Sequence, residues 1–97
     1  MSQEDEEIRK AGKAREILTN ECFKEAFAAI ESALLMGIRQ SGLVDEKLRE
    51  KLCARYDILH ALRDQIESFI ETGMLAEESI RRKEMAETAE AARKFYQ

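Results

Sequence analysis

No proline interrupts the chain in 97 residues. Proline removes a backbone donor and clashes with the preceding turn, so its absence leaves nothing that must stop a helix. Only four glycines are present, and 37% of the residues are charged. No stretch alternates polar and apolar with period two, as a half-buried strand would. This pattern predicts an all-α protein made of a few long helices.

The first predicted helix covers about residues 3–40. Ser2 and Asp5 have the spacing of a capping box, which satisfies two orphan N–H groups at a helix start. With Phe23 as origin and about 100° per residue, Phe27, Ile30, Leu34 and Ile38 fall within ~60° of it. Cys22, Ala26, Ala33 and Gly37 widen that arc to ~160°, and Leu18 and Met36 to ~200°. A helix resting on one neighbour needs a narrower stripe. The excess predicts a second neighbour, with Ala26, Ala33 and Gly37 small enough for close approach.

A turn is predicted over residues 41–45. Gly42 suits the left-handed position beyond a helix end, with Ile38 and Leu43 spaced to touch across it. Asp45 is placed to cap the next helix, predicted over 46–72. That helix carries a stripe of Leu48, Leu52, Tyr56, Leu59, Leu62, Ile66, Phe69 and Ile70, stepping mainly by threes and fours. So short a connection makes the two helices antiparallel, with residue i opposite about residue 85 − i. Gly73, with Phe69 and Met74 flanking it, predicts a break or kink. A weakly apolar helical extension follows over about 75–95, and neither it nor residues 1–12 has a mate within the pair. The expected whole is an antiparallel two-helix hairpin with a helical extension, completed by oligomerisation into a bundle. A two-helix pair this small buries too little to stand alone.

Function classes narrow accordingly. The formal net charge is −4, against general nucleic-acid binding, which needs clustered cations. The one basic triplet, Arg81-Arg82-Lys83, sits among Glu77, Glu78, Glu84 and Glu87 and reads as a solvated face. The apolar runs are too short for a membrane span and the N-terminus is acidic, so the expected location is cytoplasmic. Cys22 and Cys53 would lie ~15 Å apart along the axis, too far for a bridge, and are expected to be reduced, packed thiols. His60, the only histidine, has no metal-ligand spacing around it and reads as a surface pair with Asp57. No catalytic residue, metal or cofactor is expected.

The candidate interface for a second copy or another partner is therefore Leu18, Cys22, Phe23, Ala26, Phe27, Ile30, Ala33, Leu34 and Gly37. Phe95 and Tyr96 form a candidate docking tip at an otherwise polar end.

Residues Ala14-Arg15-Glu16-Ile17-Leu18-Thr19-Asn20-Glu21-Cys22-Phe23-Lys24-Glu25-Ala26-Phe27 resemble the start of a family of small helical proteins of tailed bacteriophages. The segment from Leu59-His60-Ala61-Leu62 to Gly73-Met74-Leu75-Ala76-Glu77 is similar to its close, so the resemblance spans about residues 14–77. Members are often encoded near genes for head assembly and DNA packaging. The resemblance implies a phage origin, a place in the host cytoplasm or virion, and a role in virion structure, head assembly or packaging. It carries over no catalytic residue. Position 74, usually basic in the family, is Met here. The reading is a non-enzymatic assembly protein, a dimer in the first instance, acting on a larger phage structural protein. The alternative is a regulatory module that binds a host protein.

Overall fold

The computed structural model describes residues 2–95, nearly all of them helical. The elements are α1 (Gln3–Thr19), α2 (Glu21–Ser41) and α3 (Glu46–Phe95). α3 has 50 residues, so it is about 75 Å long. It runs back antiparallel along α2 and then α1, giving a rod with extents of 80 × 25 × 19 Å.

Local chemistry sets the ends of these helices. Ser2 Oγ accepts the Asp5 N–H at 3.1 Å, and Asp5 returns the bond to the Ser2 backbone. Asp45 Oδ1 accepts the Leu48 N–H at 3.1 Å and starts α3. Gly42 has φ +54° and ψ −146°, a conformation costly for any residue with a Cβ. Because that ψ lies away from the left-handed helical value, Leu43 does not return to Ile38. Leu43 and Val44 stand 94% and 99% exposed instead.

The helix expected over 3–40 is two helices. Asn20 is extended (φ −68°, ψ 126°) and its side chain accepts the Phe23 N–H at 2.9 Å, capping α2. The reason for the break lies in packing. α1 meets α3 through Glu4, Ala11 and Ala14, whereas α2 meets it through Phe27, Glu31 and Gly37. On an uninterrupted helix these faces would point roughly 150° apart. One extended residue re-aims the chain, so both halves press on α3.

The break expected near Gly73 is absent, and α3 passes through it without interruption. Gly73 serves the close approach of α1: a Cβ there would fall on the Ala11 methyl and 3.0 Å from the Glu7 carbonyl oxygen. Ala11, Ala14, Gly73 and Ala76 are all buried at this crossing. The start of α1 and the stretch of α3 from Gly73 to Lys83, expected to be unmated, are thus partners. Lys83 Nζ reaches Glu4 Oε1 at 2.6 Å, and Lys10 lies 5.2 Å over the Phe69 ring. Past this level α3 overhangs, with residues 84–95 all exposed. No described helix is long and apolar enough to cross a membrane.

The core is thin. Among the described residues, no large side chain is fully buried, and Phe27 and Ile66, each at 9% exposure, are the best covered of the bulky ones. The surface is 7878 Å², where a compact chain of 11.2 kDa exposes about 5,700 Å².

Candidate functional site

The seam between α2 and α3 has two edges of different chemistry. On the polar edge, Glu31 Oε2 lies 2.7 Å from His60 Nε2, both side chains 31% exposed. His60 is held by aromatic rings: Tyr56 at 4.3 Å and Phe27 edge-on at 5.5 Å between centroids. The Arg63 guanidinium stands 5.4 Å from the Phe27 ring centroid. The partner of His60 is therefore Glu31 across the seam, and not Asp57 on its own helix. The Nε2 atom is shielded from solvent and its approach to Glu31 lacks hydrogen-bond alignment, so the contact is a close polar pairing within aromatic packing.

Chemically, an imidazole beside a carboxylate is two parts of an acid–base relay. Here the imidazole packs against Tyr56 and Phe27, and its Nε2 edge is closed off from solvent beside Glu31. An open depression of about 330 Å³ adjoins this edge, lined by Leu18, Phe23, Lys24, Phe27, Ala28, Glu31 and Arg63. His60 is not part of its lining. Among the described residues, no three His, Cys, Asp or Glu side chains are grouped to hold a metal ion.

The other edge is apolar. Glu31 and His60 touch, so they mark one side of the seam on both helices. At about 100° per residue, Cys22, Ala26 and Ala33 lie some 140–180° from Glu31. By the same measure Ile58 and Leu62 lie some 160–200° from His60. Both groups therefore crop out on the side away from the polar pair. Exposure agrees: Ile30 is 51%, Leu62 54% and Ile58 70% exposed, and Cys22, Ala26, Ala29 and Ala33 are exposed as well. The result is a strip of apolar side chains drawn from two helices, flanked toward the turn on α3 by the exposed Lys51 and Arg55, which share its phase.

The expected interface residues divide between seam and strip. Phe27 is buried, and Leu18, Phe23, Leu34 and Gly37 are half-buried, with Leu52 Cδ1 3.0 Å from the position a Cβ on Gly37 would take. Cys22, Ala26, Ile30 and Ala33 remain on the surface. Cys22 is thus an exposed thiol, contrary to the packed one expected, because its flank of α2 turns away from α3; Cys53 is half-buried, and neither is bridged. Phe95 is 83% exposed at the end of α3, and Tyr96 lies outside the described residues. The sequence stripes missed Ile58, which sits off the main α3 periodicity. Its signal was a large aliphatic residue between Asp57 and Leu59 with no intrachain reason for it.

The basic triplet is divided as well. Arg81 and Arg82 both pair with Glu78 at 3.2–3.3 Å, while Lys83 turns to Glu4. Comparison of the chain with protein-family models, curated proteins and solved structures gave no match.

Proposed function

We propose that this chain is a non-enzymatic assembly protein: a helical hairpin that self-associates through its apolar strip and presents the resulting bundle to a larger partner. The observation that carries the reading is the strip itself, uncovered beside a core in which no large side chain among the described residues is fully buried. The chain leaves about 2,000 Å² more surface in water than its mass requires. Hydrophobic burial is the dominant drive for association, and two copies supply the missing cover at no cost in new sequence.

A non-enzymatic role is supported by the way His60 is used. Its contacts with Phe27 and Glu31 join α2 to α3, while Tyr56 packs on it from within α3. The resemblance over residues 14–77 supports a phage-encoded protein that acts in the host cytoplasm or virion, on a head or packaging component.

Sedimentation equilibrium tests the self-association directly, and a dimer or higher species at micromolar concentration is expected. A pull-down with the tagged full chain from phage-infected cells tests the partner class. Recovery of capsid, portal or packaging proteins is expected. A monomer in the first assay removes the self-association; a host enzyme recovered in place of virion proteins removes the assembly role.

A further inference from the structure

We infer that the apolar strip is the face of a two-fold dimer in which two copies lie parallel, turns at the same end, with α3 of each copy seated on α2 of the other. This rests on the self-association reading above and adds its surface, symmetry and direction.

The argument begins with size. The strip takes Ile58 and Leu62 from α3, while α2 contributes mainly small side chains, Ala26, Ala29 and Ala33, beside the larger Ile30. In knobs-into-holes packing, a knob enters a hole made by residues i, i+3, i+4 and i+7 of the facing helix. Ala26, Ala29, Ile30 and Ala33 have that spacing, and all four are exposed. The next hole toward the turn is bounded by Ala29, Ser32, Ala33 and Met36, also exposed.

Height along the rod decides the rest. The contacts Phe27–Arg63, Glu31–His60 and Gly37–Leu52 show which residues of α2 and α3 share a level. By that scale, on which facing residue numbers sum to about 90, Ile58 lies level with Ser32 and Leu62 with Ala28. A two-fold axis parallel to the rod exchanges α2 and α3 without changing height. It carries Leu62 of one copy to the hole bounded by Ala26, Ala29, Ile30 and Ala33 of the other, and Ile58 to the next hole toward the turn. The face is therefore complementary to itself. An antiparallel dimer sets α2 on α2 and α3 on α3, small against small and large against large, which leaves a gap on one side when the other is in contact.

Two further observations point the same way. Leu43 and Val44, at 94% and 99% exposure, occupy the turn. Only with the turns together do these four aliphatic side chains meet. The surface excess of about 2,000 Å² per chain is also of the size that homodimer interfaces remove, roughly 2,000–5,000 Å² per pair.

The test combines mass, shape and substitution on the full chain. Sedimentation equilibrium is expected to show a dimer, and small-angle scattering a particle close to 80 Å long, the length of one rod. The strip centres about 20 Å from the turn, so an antiparallel dimer on the same face would reach about 120 Å. Ile58→Arg is expected to weaken dimerisation by about tenfold or more. Ala33→Gln, which fills the hole with a residue that favours helix, is expected to do the same with helical content retained. Leu75→Arg, at an exposed position of α3 beyond the strip, is expected to leave the dimer unchanged. A monomeric wild type overturns both the self-association reading and this inference. A dimer that is about 120 Å long, or indifferent to both Ile58→Arg and Ala33→Gln, overturns the inference alone.

Discussion

Replacing Gly73 by alanine sets two forces of opposite sign against each other. In an exposed helix interior the change gains about 1 kcal/mol, because glycine has more backbone entropy to lose. At Gly73 the added Cβ falls on the Ala11 methyl and 3.0 Å from the Glu7 carbonyl oxygen. Neither is the far end of a flexible side chain, so one helix must move. Overpacking of this kind typically costs about 1–3 kcal/mol, and contact with backbone places Gly73 toward the upper end. The expected net loss is about 1–2 kcal/mol, a fall in Tm of roughly 5–15 °C for a chain of this length. Gly12 is the internal control. A Cβ there meets nothing within 4 Å, so Gly12→Ala is expected to stabilise by about 0.5–1 kcal/mol. Thermal and urea unfolding followed by circular dichroism, at one fixed protein concentration, measure both. The double variant Gly73→Ala with Ala11→Gly should recover part of the loss beyond the sum of the single changes. If Gly73→Ala raised Tm as Gly12→Ala does, α1 would not press on α3 there, and the account of the uninterrupted α3 would fall.

Asn20→Ala removes the side-chain acceptor for the Phe23 N–H, and is expected to cost about 0.5–2 kcal/mol in urea unfolding; no loss would mean that the re-aiming of α2 does not depend on this cap. Phe27→Ala takes away the best-covered ring of the seam and its contacts with His60 and Arg63, with an expected cost of about 3–5 kcal/mol. Glu31→Ala, by contrast, breaks a pair whose side chains are about a third exposed, and is expected to cost about 1 kcal/mol or less. Equal effects from the two would contradict a seam held chiefly by apolar packing. Truncation after Lys83 is expected to lower helical signal with little change in Tm, since residues 84–95 are exposed; a large fall in Tm would show that the overhang is part of the folded unit.

What was legible in the sequence was what neighbours along the chain decide. The Ser2 and Asp45 caps need only a side chain within reach of an N–H three residues on, and both are present. The Asn20 cap is equally local. Neither glycine nor proline marks this break; Thr19-Asn20-Glu21 carries instead the start signal of a new helix. The wide apolar arc over Cys22 to Met36 was also visible, and about half of it is indeed uncovered by α3.

Tertiary structure alone decided how Gly73 is used, which side of the rod is apolar and which residue faces His60. Local sequence around Gly73 matches a helix cap, but the helix continues because Ala11, at the far end of the chain, fills the space a side chain would take. Ile58 and Leu62 join Ala26 and Ala33 in one strip only because the Glu31–His60 contact sets the rotation of the two helices about each other. The physical reason is common to both. Helix formation depends on residues within a turn or two, whereas the phase of one helix against another is a property of the pair, read only where they touch.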